Sequence, residues 1–261
     1  RNYKKVCQLF NNYKPDIVYH LAAVAHANIS NKDPLSTFDH SLRTLENSLD
    51  AARNSKNLER FIYVSSSMVY GNFKKKIVQE DDQCYPLGIY GGLKYAGEKM
   101  VIGYHQVFNM PYNIIRPSAL YGERCVSRRV TQIFVENALL GKKLLMNDNG
   151  KERLDFTYIE DLTECMVRLI EKKKSKNNLF NITFGNSRSI LELINILKKN
   201  IGNINFESQK RDKLVPYRGT LSNKKIIKYL GYRPKYNLEK GIKRLITWYK
   251  KSYSNELERK N

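Results

Sequence analysis

The chain has 261 residues, is 41% hydrophobic and carries a formal net charge of +21, enough length for one or two domains with a real core. No run of about 18 apolar residues offers a membrane-spanning helix, and the start, Arg1-Asn-Tyr-Lys-Lys5, lacks the apolar stretch of a signal peptide. Cys7, Cys84, Cys125 and Cys165 are far apart, with no CxxC and no Cys/His cluster, so neither a metal site nor a disulfide framework is indicated and a reducing cytoplasm fits.

In chain order, Asp16-Ile-Val-Tyr-His-Leu-Ala-Ala23 is apolar on both faces and predicts a buried strand. Asp33-Pro34 offers an N-cap and a first-turn proline. Leu35, Phe38, Leu42, Leu45, Leu49 and Ala52 follow at steps of three and four, one apolar helix face. Residues 61–65 predict the next strand, 71–87 a polar loop, 89–108 a long helix and 112–116 a strand stopped by Pro117. This alternation argues for a parallel sheet covered by helices.

The second half is less regular. Helices are predicted over 131–140 and 161–172, with a strand over 179–184. Ser189-Ile-Leu-Glu192 is a capping box opening a helix through Leu197. A helix over 222–230 ends at Gly231. Ile242, Leu245, Ile246 and Tyr249 mark a last amphipathic helix.

The chemistry is concentrated in the first half. Tyr90 and Lys94 lie four residues apart on the long helix, so they share a face. A free phenol ionises only near pH ~10, and a neighbouring ammonium favours its anion. Such a pair can take a proton from a sugar hydroxyl as hydride leaves the same carbon. Ser65, Ser66 and Ser67 end the strand before it, and a serine hydroxyl there can hold the reacting oxygen. YxxxK alone arises often by chance; serines before it and Ile114-Ile-Arg-Pro117 after it make chance a poor account.

Four stretches carry a family resemblance: Tyr63-Val-Ser-Ser-Ser-Met-Val-Tyr-Gly71, the Tyr90/Lys94 segment, Ile115-Arg-Pro-Ser-Ala-Leu-Tyr-Gly122 and Asp155-Phe-Thr-Tyr-Ile-Glu-Asp-Leu162. Together with His20-Leu-Ala-Ala23, Arg218-Gly-Thr-Leu-Ser-Asn-Lys-Lys225 and Leu230-Gly-Tyr-Arg-Pro-Lys235, they resemble the extended short-chain dehydrogenase/reductase family. More narrowly, they resemble its NAD-dependent nucleotide-sugar epimerase/dehydratase group, UDP-glucose 4-epimerase-like. The resemblance implies an α/β fold, a Rossmann-type parallel sheet with helices on both faces, with its first βαβ unit absent. A smaller C-terminal α/β region would bind the nucleotide sugar. The implied division assigns 1–121 and 155–185 to NAD binding, and 122–154 and 186–261 to the nucleotide sugar. It also implies Ser66, Tyr90 and Lys94 as catalytic, with Ser67 the rival serine and Lys94 also holding the nicotinamide ribose. Ala22, Ala23, Ser65, Pro117 and Ser118 would line the cofactor. Ser67, Arg153 and Arg218 would meet the substrate, the arginines through its diphosphate. A homodimer would form through the helices near 35–53 and 89–108.

Departures from the family pattern shape the expected reaction. Where family dehydratases and decarboxylases usually carry an acidic residue, this chain has Ser67 and Met68. That favours epimerisation through a transient keto sugar, or NADPH-dependent reduction of a keto sugar. Asn is common in the family at the places of Ala119 and Ser41, and Arg153 is displaced by Leu154 from its usual place before the Asp-Phe pair. The glycine-rich GxxGxxG unit that cradles the pyrophosphate is not found before His20. With no initial Met, this leads to the expectation of a chain lacking roughly 60–70 residues, with weak NAD binding and an uncovered sheet edge. A non-catalytic protein keeping the fold is the rival from another class. Nucleic-acid binding is disfavoured, because the lysines are spread along the chain without aromatic interleaving.

Overall fold

The computed structural model describes residues 1–252. Its main sheet has four parallel strands in chain order, β1 (Ile17–His20), β2 (Arg60–Val64), β3 (Tyr112–Pro117) and β5 (Asn178–Ile182). Between β3 and β5 in sequence lies β4 (Leu144–Asn147), which pairs in parallel with β6 (Phe206–Gln209) in a separate two-stranded sheet. In the main sheet, Val18 stands opposite Phe61, Ile62 opposite Asn113 and Ile114 opposite Leu179. Among the described residues β1 has a strand partner on one side only.

Side chains alternate across the sheet, so each face builds its own core. Phe61, Tyr63 and Ile114 point to a layer containing Leu45, Leu49 and Val101. These come from α4 (Thr44–Arg53) and α5 (Gly88–Phe108). Ile62, Ile115, Phe180 and Ile182 point to the other layer, made by α7 (Ile159–Glu171) and α9 (Lys224–Leu230). The parallel sheet with helices on both faces is therefore present as expected. A third core joins α6 (Val130–Leu139), α8 (Ile190–Ile201) and α10 (Leu238–Ser252) around Tyr121, Leu144 and Tyr158. Within 186–252, α9 and Tyr232 pack under the sheet, α8 and α10 join the third core, and Leu221 packs with Val69, Tyr70 and Val78; residues beyond 252 lie outside the described residues.

Several caps match local sequence. Ser189 and Glu192 form the reciprocal capping box of α8. Gly231 ends α9 in the left-handed conformation at φ 64°. Asp33 Oδ1 accepts from the Ser36 amide at 3.1 Å and starts α3 (Pro34–Phe38). The single helical stripe expected from Leu35 to Ala52 does not hold. A π-helical turn over Asp39–Arg43 separates α3 from α4. Each π turn shifts the phase of the side chains, and Leu35 is left 76% exposed while Leu45, Leu49 and Ala52 are fully buried. The helices α1 (Tyr3–Tyr13) and α2 (Ala27–Lys32) and the β4/β6 pair were not expected. α1 buries none of its residues and is held on α4 by Tyr3 Oη donating to Asp50 and by Asn47 donating to the Arg1 carbonyl. No described helix is long and apolar enough to cross a membrane.

Candidate active site

β2 delivers the serines. Ser65 and Ser66 follow Val64, and Ser67–Tyr70 form a 3-10 turn. Ser66 is extended and caps the turn, its Oγ accepting from the Met68 amide at 3.2 Å. Gly71 closes the turn at φ 65°, where a Cβ would lie 1.8 Å from the Tyr85 carbonyl oxygen; no side chain fits there. α5 then crosses the end of β2. A Cβ on Gly97 would meet the Tyr63 hydroxyl at 2.3 Å, so glycine permits the close approach that brings Tyr90 and Lys94 to the serines.

Lys94 is buried, and its Nζ donates to the Val64 carbonyl at 2.7 Å and lies 5.2 Å from the centre of the Tyr63 ring. Burial pushes its ammonium down to about 8, opposed by the Glu98 carboxylate one turn further along α5. An ammonium has three donors, and Val64 takes one. Tyr90 is 9% exposed, and its hydroxyl forms no hydrogen bond among the described residues. His20, at the end of β1, lies 6.1 Å from both Phe61 and Tyr63, ring centre to ring centre. Burial, with the Lys94 charge beside it, lowers it to about 4, so it is neutral.

One cavity of roughly 400 Å³ gathers these groups. Its wall includes Ala23, Ser65, Ser66, Ser67, Tyr90, Lys94 and Pro117. Ala22 is exposed and Ser118 buried, and neither forms part of that wall. Ala119 does, with a left-handed φ of 37° that alanine rarely adopts and asparagine tolerates better.

The same wall carries Arg128, Arg129 and Arg218. Arg218 Nη2 lies 3.3 Å from Glu152 Oε1, while its buried Nε has no partner. Glu152 is also 3.8 Å from Arg211, whose guanidinium is held by the Val215 and Pro216 carbonyls. Arg129, at the start of α6, donates to the Ala25 carbonyl. Arg128 and Arg129 were missed by sequence reasoning; the only signal was a basic pair ahead of an apolar helix. Arg153, by contrast, does not reach the cavity. Its strand pairs Leu154 with Arg188 and Arg153 with Ser189. That pairing directs the guanidinium to the Ser187 hydroxyl (3.2 Å) and carbonyl and to Glu192 (3.5 Å).

A parallel sheet with helices on both faces, and Ser66, Tyr90 and Lys94 in one cavity wall, defines a Rossmann-type α/β fold. The chain belongs to the NAD-dependent epimerase/dehydratase family, whose model matches residues 1–183. An uncharacterized protein of Methanocaldococcus jannaschii is 31% identical over 241 residues, covering 90% of this chain and 72% of that protein. The dTDP-D-glucose 4,6-dehydratase of Bos taurus is 29% identical over 258 residues, covering 95% and 71%. Among solved structures, UDP-glucuronic acid 4-epimerase from Bacillus cereus, in complex with UDP-glucuronic acid and NAD, superposes with a TM-score of 0.90 at 29% identity. That match covers 97% of this chain and 81% of the other.

Proposed function

We propose that the protein is an NAD-dependent nucleotide-sugar epimerase. The observation that carries this reading is one cavity walled both by Ser66, Tyr90 and Lys94 and by Arg128, Arg129 and Arg218. Bound in this cavity, NAD would supply reversible hydride acceptance at the sugar carbon, which is what inversion through a transient keto sugar requires. Tyr90 takes the hydroxyl proton and gives it back. Ser66 holds the reacting oxygen, with Ser67 beside it against the sugar. Lys94 has spare donors for a ribose hydroxyl and places its charge near the Tyr90 oxygen. Ser65, Ala23 and Pro117 supply the cofactor side of the wall, with Ala22 and Ser118 adjacent in sequence. The unpartnered Nε of Arg218 suits a phosphate oxygen, and guanidinium makes charge-assisted, directional bonds to such groups.

Elimination of water would need a proton donor beside the reacting serine. The 3-10 turn offers Ser67 and Met68 there, and the carboxylate in the cavity wall, Glu152, is paired with Arg218. Epimerisation is therefore favoured over dehydration. The test uses protein from the complete coding sequence, with NAD and UDP- or dTDP-sugars in D2O, followed by proton NMR. The expected product is a sugar inverted at one carbon, with its 6-hydroxyl kept and no deuterium at carbon 5. Loss of that hydroxyl with deuterium uptake at carbon 5 would replace this reading with dehydration.

A homodimer through the helices of 35–53 and 89–108 is part of the proposal. Leu35, Phe38, Ile89, Val107 and Phe108 leave apolar surface on those segments, which supports it. Light scattering is expected to give twice the chain mass; a monomer mass independent of concentration would count against it. A cytoplasmic setting completes the reading and is supported by the four unpaired cysteines.

A further inference from the structure

Behind the cavity wall lies a buried polar cluster that no step above uses. Glu98 is 1% exposed and Arg116 is 3% exposed. Arg116 grips Glu98 in bidentate fashion, Nε to Oε1 at 2.9 Å and Nη2 to Oε2 at 2.6 Å. Its third nitrogen donates to the Glu80 carbonyl at 3.1 Å, and its guanidinium carbon lies 4.7 Å from the centre of the Tyr70 ring. The Ser65 hydroxyl donates to Glu98 Oε1 at 2.5 Å. A fully buried charge pair is expensive to desolvate and adds little net stability over an apolar pair, so the cluster calls for another account.

Glu98 and Lys94 are one turn apart on α5. Each clasps the end of β2, Lys94 at the Val64 carbonyl and Glu98 at the next residue, Ser65. Two bonds from one helix face to two successive strand residues fix both the rotation and the height of α5, and hence of Tyr90. We propose that Glu98, braced by Arg116, is a positioning residue of the active site, acting through Ser65 and Lys94 and not on the substrate. The proposal rests on the Tyr90–Lys94 reading above.

The cluster also has an electrostatic consequence. The charged and titratable groups facing Lys94 are His20 from β1, Tyr63 from β2 and Glu98 from α5, and Tyr90 shares its cavity wall. His20 is neutral, which leaves Glu98 as the anion that opposes the effect of burial. Arg116 stands beyond Glu98, with Tyr70 and Cys84 on its far side. Removing the Glu98 charge therefore leaves a buried cation without its opposing anion, and Lys94 gives up its proton at lower pH.

The experiment follows the carbon-13 resonance of the Lys94 ε-carbon against pH in lysine-labelled protein without cofactor or sugar, assigned by its disappearance in Lys94→Arg. It can be read whether or not the protein epimerises, so its failure is separate from failure of the functional reading. In Glu98→Gln the Lys94 midpoint is expected to fall by about one unit or more. The double variant Glu98→Gln/Arg116→Gln removes both members of the buried pair and leaves Lys94 as the cation without its anion, and the same fall is expected if the single variant does not fold. A general loss of packing would lower the melting temperature and, by hydrating the ammonium, raise this midpoint. An unmoved or raised midpoint in either folded variant would overturn the proposal.

Discussion

Tyr90→Phe is expected to lower turnover of the nucleotide sugar by about two to four orders of magnitude while leaving the protein folded. The ring of Tyr90 is almost wholly buried, and phenylalanine keeps it. The hydroxyl has no hydrogen-bond partner among the described residues, so removing it strands no other polar group. What disappears is the atom that would exchange a proton with the sugar. Cofactor binding should change little, because Lys94 keeps its bond to Val64. The informative comparison is kcat and the melting temperature for both proteins. A fall in kcat with an unchanged melt assigns the proton to Tyr90, and unchanged turnover would remove it from the reaction.

Arg116→Met is expected to be the most damaging single change to stability, by about 3–5 kcal/mol. Methionine fills much of the volume but leaves the Glu98 carboxylate buried with the Ser65 hydroxyl as its remaining donor. The intact pair adds little; half of it is costly, because the stranded charge keeps its desolvation penalty. Urea denaturation of both proteins measures this. A loss below about 1 kcal/mol, the scale of an ordinary substitution, would show that Glu98 does not depend on Arg116.

The features legible in the sequence were those set by near neighbours. The capping box at Ser189 and Glu192 needs only three residues of spacing. Tyr90 and Lys94 share a face because helices repeat every 3.6 residues. The four main strands announced themselves because strands buried on both faces read as short apolar runs. The π-helical turn at Asp39–Arg43 was invisible, since an apolar repeat at steps of three and four does not reveal an inserted residue. Pairing of Leu144–Asn147 with Phe206–Gln209 joins segments about 60 residues apart and leaves little local pattern, as Phe206–Gln209 buries nothing.

By itself, the sequence determined the class of fold and pointed to a candidate trio, because serine, tyrosine and lysine are placed by one strand end and one helix. Only the tertiary structure decided which arginines share their cavity. Arg218 reaches it through the pairing of Thr220–Leu221 with Ile77–Val78, and Arg129 arrives from the start of α6. Arg153, closer to the expected motif, is turned away by its own strand pairing. The join between Glu98 and Arg116 was likewise decided by α5 packing across β2 and β3. The physical reason is that a charged side chain's partner depends on which distant segments share a buried space, and neither spacing nor composition carries that information.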